Sequence, residues 1–145
     1  MSERVLLVGE MNPISFDPRY ALYPLPENCT GGRLCKILGL SAREYLRTFD
    51  RVNLVRRGAG KKWQATTMRM SADLLKHRRR ILLGARVCTA HRVPFRPFRT
   101  FRINETVTVL VLPHPSGRNR IWNDPASAVR TRRAVARFLR KEGEG

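Results

Sequence analysis

The sequence is poor in acidic residues and has no long hydrophobic run. It holds 11 aspartates and glutamates against 29 lysines and arginines, a formal net charge of +18 over 145 residues. No apolar segment approaches the ~20 residues that a transmembrane helix needs. The first one, residues 5–8, is also too short for the core of a signal peptide. We therefore expect no membrane segment and a cytoplasmic protein.

Cysteine is scarce as well. Cys29, Cys35 and Cys88 are odd in number and form no Cys-x-x-Cys pair, and the three histidines lack the spacing of zinc ligands. This pattern is typical of reduced, partly buried thiols in a reducing compartment. We predict no metal site and no cofactor.

The excess of positive charge indicates the partner. A folded domain this basic repels itself unless a polyanion neutralises it. Arginine outnumbers lysine, and its planar guanidinium suits phosphate oxygens and base edges. An anionic membrane would call for one amphipathic basic helix, whereas the arginines occur along the whole chain. The composition therefore favours DNA, single- or double-stranded, over a membrane.

The pattern of apolar runs predicts one α/β domain over residues 1–145. Four runs predict strands: residues 4–8, 52–55, 81–84 and 106–112. The segments between them predict helices: residues 34–38, a short helix capped by Ser41 and Glu44, Met68–Arg80, Ala85–His91, and a last helix from Asp124-Pro125 to about Lys141. Residues 92–105 look irregular and basic, with phenylalanines among arginines.

Apolar strands that alternate with helices are typical of a mostly parallel sheet covered on both faces. We predict a three-layer α/β sandwich with a central, mostly parallel four-stranded sheet flanked by helices. Ligands in such folds bind at the carboxyl ends of the strands. Three polar segments lie at or near predicted strand ends, and we expect them to meet in one pocket.

The three segments are Gly9-Glu10-Met11-Asn12-Pro13, Val52-Asn53-Leu54-Val55 and His114-Pro115-Ser116-Gly117-Arg118-Asn119. Taken in this order, they resemble the uracil-DNA glycosylase superfamily over nearly the whole chain. Its members carry an acidic or amide residue before a proline, a pyrimidine-reading asparagine, and a His-Pro-Ser loop. The Met-Asn-Pro form and the Gly-Arg-Asn-Arg continuation look closest to the single-strand-selective and mismatch-specific branches. The iron–sulfur branch needs four cysteines, so we predict no cluster.

The resemblance implies a monofunctional DNA glycosylase, which flips out a pyrimidine and hydrolyses its N-glycosidic bond to leave an abasic site. Asn12 would hold the attacking water, and any general base would be a carboxylate, Glu10 or Asp17. His114 would donate a hydrogen bond to the pyrimidine O2 as negative charge develops there. Asn53 would read the base edge, because an amide both donates and accepts.

The same resemblance bears on the base that is bound. Phe16 is placed to stack on it, with Tyr20 and Tyr23 as further candidates. Ile14 occupies a position where the family usually has glycine or tyrosine. Its intermediate size leaves open uracil and pyrimidines enlarged at C5, such as those of phage DNA. The Met-Asn-Pro branches usually carry glycine where this chain has Glu10.

Other residues are assigned to the loop and to DNA. Ser116 would contact the base, and Arg118, Asn119 and Arg120 lie where superfamily members insert a wedge into the gap left by the flipped nucleotide. Two arginines of the last helix would bind phosphates or, equally, solvate a helix face; they are Arg130 and Arg133.

A non-catalytic relative that recognises damaged or modified DNA is the alternative function. The glycosylase is favoured because the chemical positions are filled, whereas a pure binder would need only the arginines. No lysine stands in the three segments, which argues against a Schiff-base mechanism. We expect a monomer. Genome repair and attack on foreign DNA both remain open.

Overall fold

A computed structural model describes residues 4–11, 18–55 and 76–140 of the chain. These residues have an α/β fold. The strands are β1 (Val5–Met11), β2 (Phe49–Val55), β3 (Arg79–Leu83), β4 (Thr100–Arg102) and β5 (Thr108–Leu112). The α-helices are α1 (Thr30–Leu38), α2 (Ala42–Thr48), α3 (Ala85–Ala90) and α4 (Pro125–Arg140), with 3-10 turns at Pro18–Tyr20 and Arg120–Asn123.

The five strands form one mostly parallel sheet in the order β2-β1-β3-β5-β4. All pairs are parallel except β4 with β5. Gly9 lies opposite Asn53, and Leu82 lies between Val8 and Val111. The carboxyl ends of β1, β2, β3 and β5 therefore share one side of the sheet, which we call the carboxyl edge.

Successive strand residues point to opposite sides of the sheet, so apolar side chains lie on both faces. Helices pack against both of them. On one face, Leu7 and Phe49 pack with side chains of α1, α2 and α4. On the other, Val8 and Leu82 pack with Val87 and the rest of the α3 cluster. The predicted α/β fold with a mostly parallel sheet and helices is confirmed. No helix within the described ranges is long and apolar enough to cross a bilayer.

The predicted number of strands was wrong, since the sheet has five rather than four. The extra strand, β4, lies in the segment 92–105 that looked irregular. Its three residues hold no apolar run, and it exists through pairing: Thr100 lies opposite Leu110 and Arg102 opposite Thr108. Phe101 packs against the α3 cluster. Pairing with the next strand, rather than an apolar pattern of its own, makes this strand.

The predicted C-terminal end of the helix Met68–Arg80 was wrong, because Arg79 and Arg80 belong to β3. Arg80 is buried, lies between Leu6 and Val109 in the sheet, and donates from Nε to the His77 carbonyl at 3.1 Å. In the sequence, Arg80 looked like one of the charged residues on the solvent-exposed face of a basic helix. Residues 68–75 of that prediction lie outside the described part of the chain.

The capping box of α2 is confirmed, with reciprocal hydrogen bonds between Ser41 and Glu44. The helix then carries Tyr45 to the segment before α1. Tyr45 is fully buried and its hydroxyl donates to the Leu22 carbonyl at 2.8 Å. Leu22 has a φ of 50°, which is unfavourable for a residue with a Cβ. The buried hydrogen bond stabilises this conformation, and Leu22 in turn packs beside Gly9.

Replacing Tyr45 by phenylalanine should lower the free energy of unfolding by about 1–2 kcal/mol. The reason is that the substitution removes a buried donor and leaves the Leu22 carbonyl without it. Chemical denaturation measures the change. Tyr20→Phe is the matched control, because the Tyr20 side chain is 45% exposed and surface changes typically stay within about 0.5 kcal/mol. Equal stabilities of the two variants would contradict the role given to the Tyr45 hydroxyl.

Candidate active site

Polar residues of three sequence segments reach the carboxyl edge of the sheet. Glu10 lies near the end of β1, Asn53 lies near the end of β2, and His114 follows β5. Gly84, just after β3, donates its N–H to the Leu112 carbonyl at 3.0 Å and ties the ends of β3 and β5 together. The register of the parallel strands is what places these residues on one edge.

Asn53 lies over Gly9 of the neighbouring strand. A Cβ at Gly9 would stand 2.6 Å from Asn53 Oδ1 and 2.9 Å from Leu22 Cδ2, so only glycine leaves room there. Asn53 Oδ1 is buried and has no hydrogen-bond partner among the residues the structure describes. A buried oxygen left without a donor costs about 1–3 kcal/mol. The atom is therefore an acceptor available to a ligand.

Glu10 and His114 meet at Gly84. A Cβ at Gly84, whose φ is 96°, would lie 3.3 Å from His114 Cβ and 3.5 Å from Glu10 Oε1. Arg86 of α3 places Nη1 3.8 Å from Glu10 Oε2. The backbone between the carboxylate and the imidazole thus carries no side chain, and both groups border the same space.

Burial lowers the pKa of His114 below its ordinary value of 6.5, while the nearby Glu10 carboxylate acts in the opposite direction. Desolvation is the larger effect, since it penalises the charged imidazolium. At neutral pH the ring is therefore uncharged, with one N–H donor and one acceptor nitrogen. A neutral histidine can donate a hydrogen bond to a ligand oxygen without transferring its proton.

Two side chains hold the backbone of His114. Its carbonyl accepts from Trp122 Nε1 at 2.9 Å and from Asn119 Nδ2 at 3.1 Å. Asn119 Oδ1 accepts from the N–H of Ile121 at 3.2 Å. The loop between β5 and α4 is therefore closed on itself at the histidine. Trp122 was missed in the sequence, where the only signal was an indole N–H that usually finds a partner when buried.

The remaining residues of this loop take up different roles. Ser116 Oγ accepts from the Arg118 N–H at 3.1 Å and so shapes the turn. Arg118 and Arg120 are exposed beside it. Asn119, assigned to DNA from the sequence, has both ends of its amide engaged inside the loop.

A further residue, Arg33 of α1, was not anticipated. A Cβ at Gly117 would lie 2.6 Å from the Arg33 guanidinium carbon, so the arginine packs on the loop where it has no side chain. Arg33 Nε donates to the Asn28 carbonyl at 3.1 Å. No local sequence pattern announces this long-range contact. It brings a positive charge from α1 to the loop that follows His114.

Tyr23, predicted to contact the base, belongs to an aromatic cluster. Its ring makes an edge contact with Tyr20, with centroids 5.3 Å apart, and lies 5.6 Å from the Arg51 guanidinium carbon. On α4, Arg133 is exposed, and Arg130 stacks 4.4 Å above the Phe98 ring. Four predicted site residues lie outside the described part of the chain: Asn12, Ile14, Phe16 and Asp17.

Within residues 4–11, 18–55 and 76–140, no group of three His, Cys, Asp or Glu side chains could hold a metal ion. No protein-family model, curated protein or solved structure matches this chain. The site is therefore characterised by its own geometry: a buried amide oxygen over Gly9, and a neutral imidazole facing a carboxylate across Gly84.

Replacing Glu10 by glutamine should lower the pKa of His114 further. The carboxylate favours the imidazolium, so its loss leaves desolvation to act alone. The parent His114 should titrate below pH 6.5, and the variant at a still lower pH. Titration of the ring signals by NMR, with His114 assigned through His114→Gln, measures both values. His91 serves as an internal control, because its pKa is lowered to about 4 by its own burial. An unchanged or higher pKa for His114 would contradict the placement of Glu10.

Proposed function

We propose that this chain is a monofunctional DNA glycosylase of the uracil-DNA glycosylase superfamily, with the three-layer sandwich of that superfamily. One observation carries the proposal. The ends of parallel strands bring Asn53, Glu10 and His114, one residue from each of the three motifs, to a single edge of the sheet. The strongly basic composition supports DNA as the substrate.

Asn53 would read the extruded base. Its buried Oδ1 can accept from the N3–H of uracil, and its Nδ2 can donate to O4. Cytosine presents the reverse pattern at these two positions, an acceptor at N3 and a donor at N4. The unpaired oxygen therefore favours uracil, or a uracil substituted at C5, over cytosine. Ile14, outside the described residues, would decide which substituents fit.

His114 would stabilise the leaving group. When the bond between C1′ and N1 breaks, its electron pair stays on the pyrimidine and spreads to O2. A neutral imidazole N–H hydrogen-bonded to O2 becomes a stronger partner as this charge grows. Trp122 and Asn119 would fix the ring by holding its backbone carbonyl. Burial supports this role, because it keeps the imidazole uncharged.

Water would complete the reaction at C1′. Asn12, which directly follows the last residue of β1 in the sequence, would orient it, and the water's proton would pass to Glu10 or Asp17. The Glu10 carboxylate would also stabilise the positive sugar. Arg86 Nη1, 3.8 Å from Glu10 Oε2, would help to hold this carboxylate in place. No cofactor takes part in these steps.

The wider setting is part of the same proposal. Residues 1–145 would act as one glycosylase domain, as a monomer, on DNA of the nucleoid in the cytoplasm. Single-stranded and double-stranded DNA are both open as substrates. Both repair of uracil and excision of modified pyrimidines from foreign DNA are compatible with this proposal.

Loss of either Asn12 or His114 should slow excision strongly without abolishing DNA binding. Asn12→Ala removes water placement, and His114→Ala removes the donor to O2, so each should slow single-turnover excision about a hundredfold to a thousandfold. The double variant should lose less than the product of these factors, because both groups act on one bond cleavage. Alkali reveals the abasic sites in oligonucleotides that carry a panel of pyrimidines.

Asn123→Ala is the matched control, since Asn123 is exposed at the end of a 3-10 turn. Parent rates in both Asn12→Ala and His114→Ala would refute the glycosylase. A parent that binds DNA and never cuts any pyrimidine would instead identify a non-catalytic DNA-binding relative.

Asn53→Asp should change which base is excised. The carboxylate has no donor for O4, so the rate on uracil relative to cytosine should fall about tenfold or more. Competition between the two bases in one reaction gives this ratio directly. The same ratio in Asn53→Asp and the parent would mean that Asn53 has a structural role and that the base lies elsewhere.

A further inference from the structure

A tight turn brings arginines to the outer edge of the sheet. In residues 96–99 the Arg99 N–H donates to the Arg96 carbonyl at 3.3 Å, with Pro97 second and Phe98 third. Phe98 has a φ of 70°, as the third residue of a type II turn requires, a place usually taken by glycine or asparagine. Other contacts must hold the phenylalanine there.

Those contacts come from β5 and α4. The Phe98 N–H donates to the Val111 carbonyl at 2.7 Å, and the Val111 N–H donates to the Arg99 carbonyl at 2.9 Å. Two residues thus oppose one, which is a β-bulge that redirects a side chain. The Phe98 ring packs on the core and carries Arg130 4.4 Å from its centroid. The stacked guanidinium is held in one plane, and its N–H groups remain available around its rim.

The turn therefore gathers three positive charges. Arg96, Arg99 and Arg130 are exposed, and no carboxylate of the described residues pairs with them. Two of them lie at the ends of one turn, and the third stacks on the residue between. Positive charges on neighbouring residues repel each other, and an anion bound beside them relieves this repulsion. Phosphate oxygens suit this arrangement, because a guanidinium binds them through two parallel hydrogen bonds.

The turn lies close to the candidate active site. Val111, its partner in β5, precedes His114 by three residues, a distance of roughly 10 Å along an extended strand. One strand of DNA advances about 3.4 Å per nucleotide along the helix axis. A DNA backbone that leaves the pocket toward β4 would reach the turn within about three nucleotides.

We propose that Arg96, Arg99 and Arg130, arranged around Phe98, form a binding site for one phosphate of the DNA backbone within about three nucleotides of the extruded base. This inference rests on the proposed function, because it assumes that the base enters the pocket at the carboxyl edge. The site fixes the register of the strand that carries the base. Phe98 positions Arg130 and does not itself contact DNA.

The test combines charge removal on both partners. Each phosphate around one uncleavable deoxyuridine analogue is replaced in turn by a neutral methylphosphonate, in single-stranded and duplex oligonucleotides. In the parent, one replacement within about three nucleotides should lower affinity about tenfold, as loss of a charge-assisted contact does. In Arg96→Gln/Arg99→Gln, the same replacement should change affinity less than twofold. The slope of log affinity against log salt should also fall by about one to two units.

The control variant is Arg92→Gln/Arg102→Gln. It removes the same charge from exposed residues of the same segment, and Arg102 lies opposite Thr108 at the other end of β5. It should retain the local methylphosphonate effect. Phe98→Leu should weaken the methylphosphonate effect. Adding Arg130→Gln to Phe98→Leu should weaken that effect no further. Circular dichroism and thermal unfolding check that each variant is folded.

Each other outcome overturns the site. A methylphosphonate effect that persists in Arg96→Gln/Arg99→Gln places the phosphate elsewhere, while the register set by deoxyuridine still supports the glycosylase. No position-dependent effect in the parent also rejects the site. Excision of deoxyuridine by the parent then shows whether the proposed function survives. Binding of anionic vesicles, but not DNA, that is lost in the double variant would assign the three arginines to a membrane surface.

Discussion

Parallel pairing of β2, β1, β3 and β5 places all four carboxyl ends on one edge of the sheet. Side chains from segments far apart in sequence therefore meet where each strand gives way to a loop. The positions without side chains matter as much, because Gly9 admits the Asn53 amide and Gly84 separates Glu10 from His114. A register shift of one residue would move Asn53 to the other face of the sheet. The geometry of the site depends on this pairing.

Desolvation gives the site its chemical character. The net charge of +18 would make most surfaces of this protein attractive to any anion, without choice among them. Selectivity must come from groups removed from water, where an unmet hydrogen bond is costly. Asn53 Oδ1 and the His114 imidazole are such groups, one unpaired within the described residues and the other kept neutral by burial. In the proposed glycosylase, surface arginines would supply affinity, while the buried polar atoms would supply recognition.

Features written locally in the sequence were predictable. The β-branched run of β5, the capping box of α2 and the Asp124-Pro125 start of α4 all formed as expected. Features made by contacts between separate segments were not. Strand β4 depends on pairing with β5, and Trp122 has a role only because the chain returns to the His114 carbonyl. Glu10, Asn53 and His114 lie at or near strand ends as expected. The internal hydrogen bonds of the Asn119 amide had no signal in the sequence, from which this residue was assigned to DNA.

The chain differs at several positions from the superfamily that it resembles. Glu10 is the difference whose place in the structure is most informative. It alternates with Gly9 along β1, so it points toward the α3 face, whereas Asn53 lies on the face of Leu22. A carboxylate beside the pyrimidine would oppose the negative charge that forms there, while one beside the sugar would stabilise the opposite charge. Separation of Glu10 and Asn53 onto two faces allows both requirements in one pocket. The base would then lie toward Asn53 and the sugar toward Glu10, with His114 reaching O2 between them. Desolvation of the imidazole outweighs the effect of Glu10 on its pKa, which is why a carboxylate can occupy this position while His114 stays uncharged.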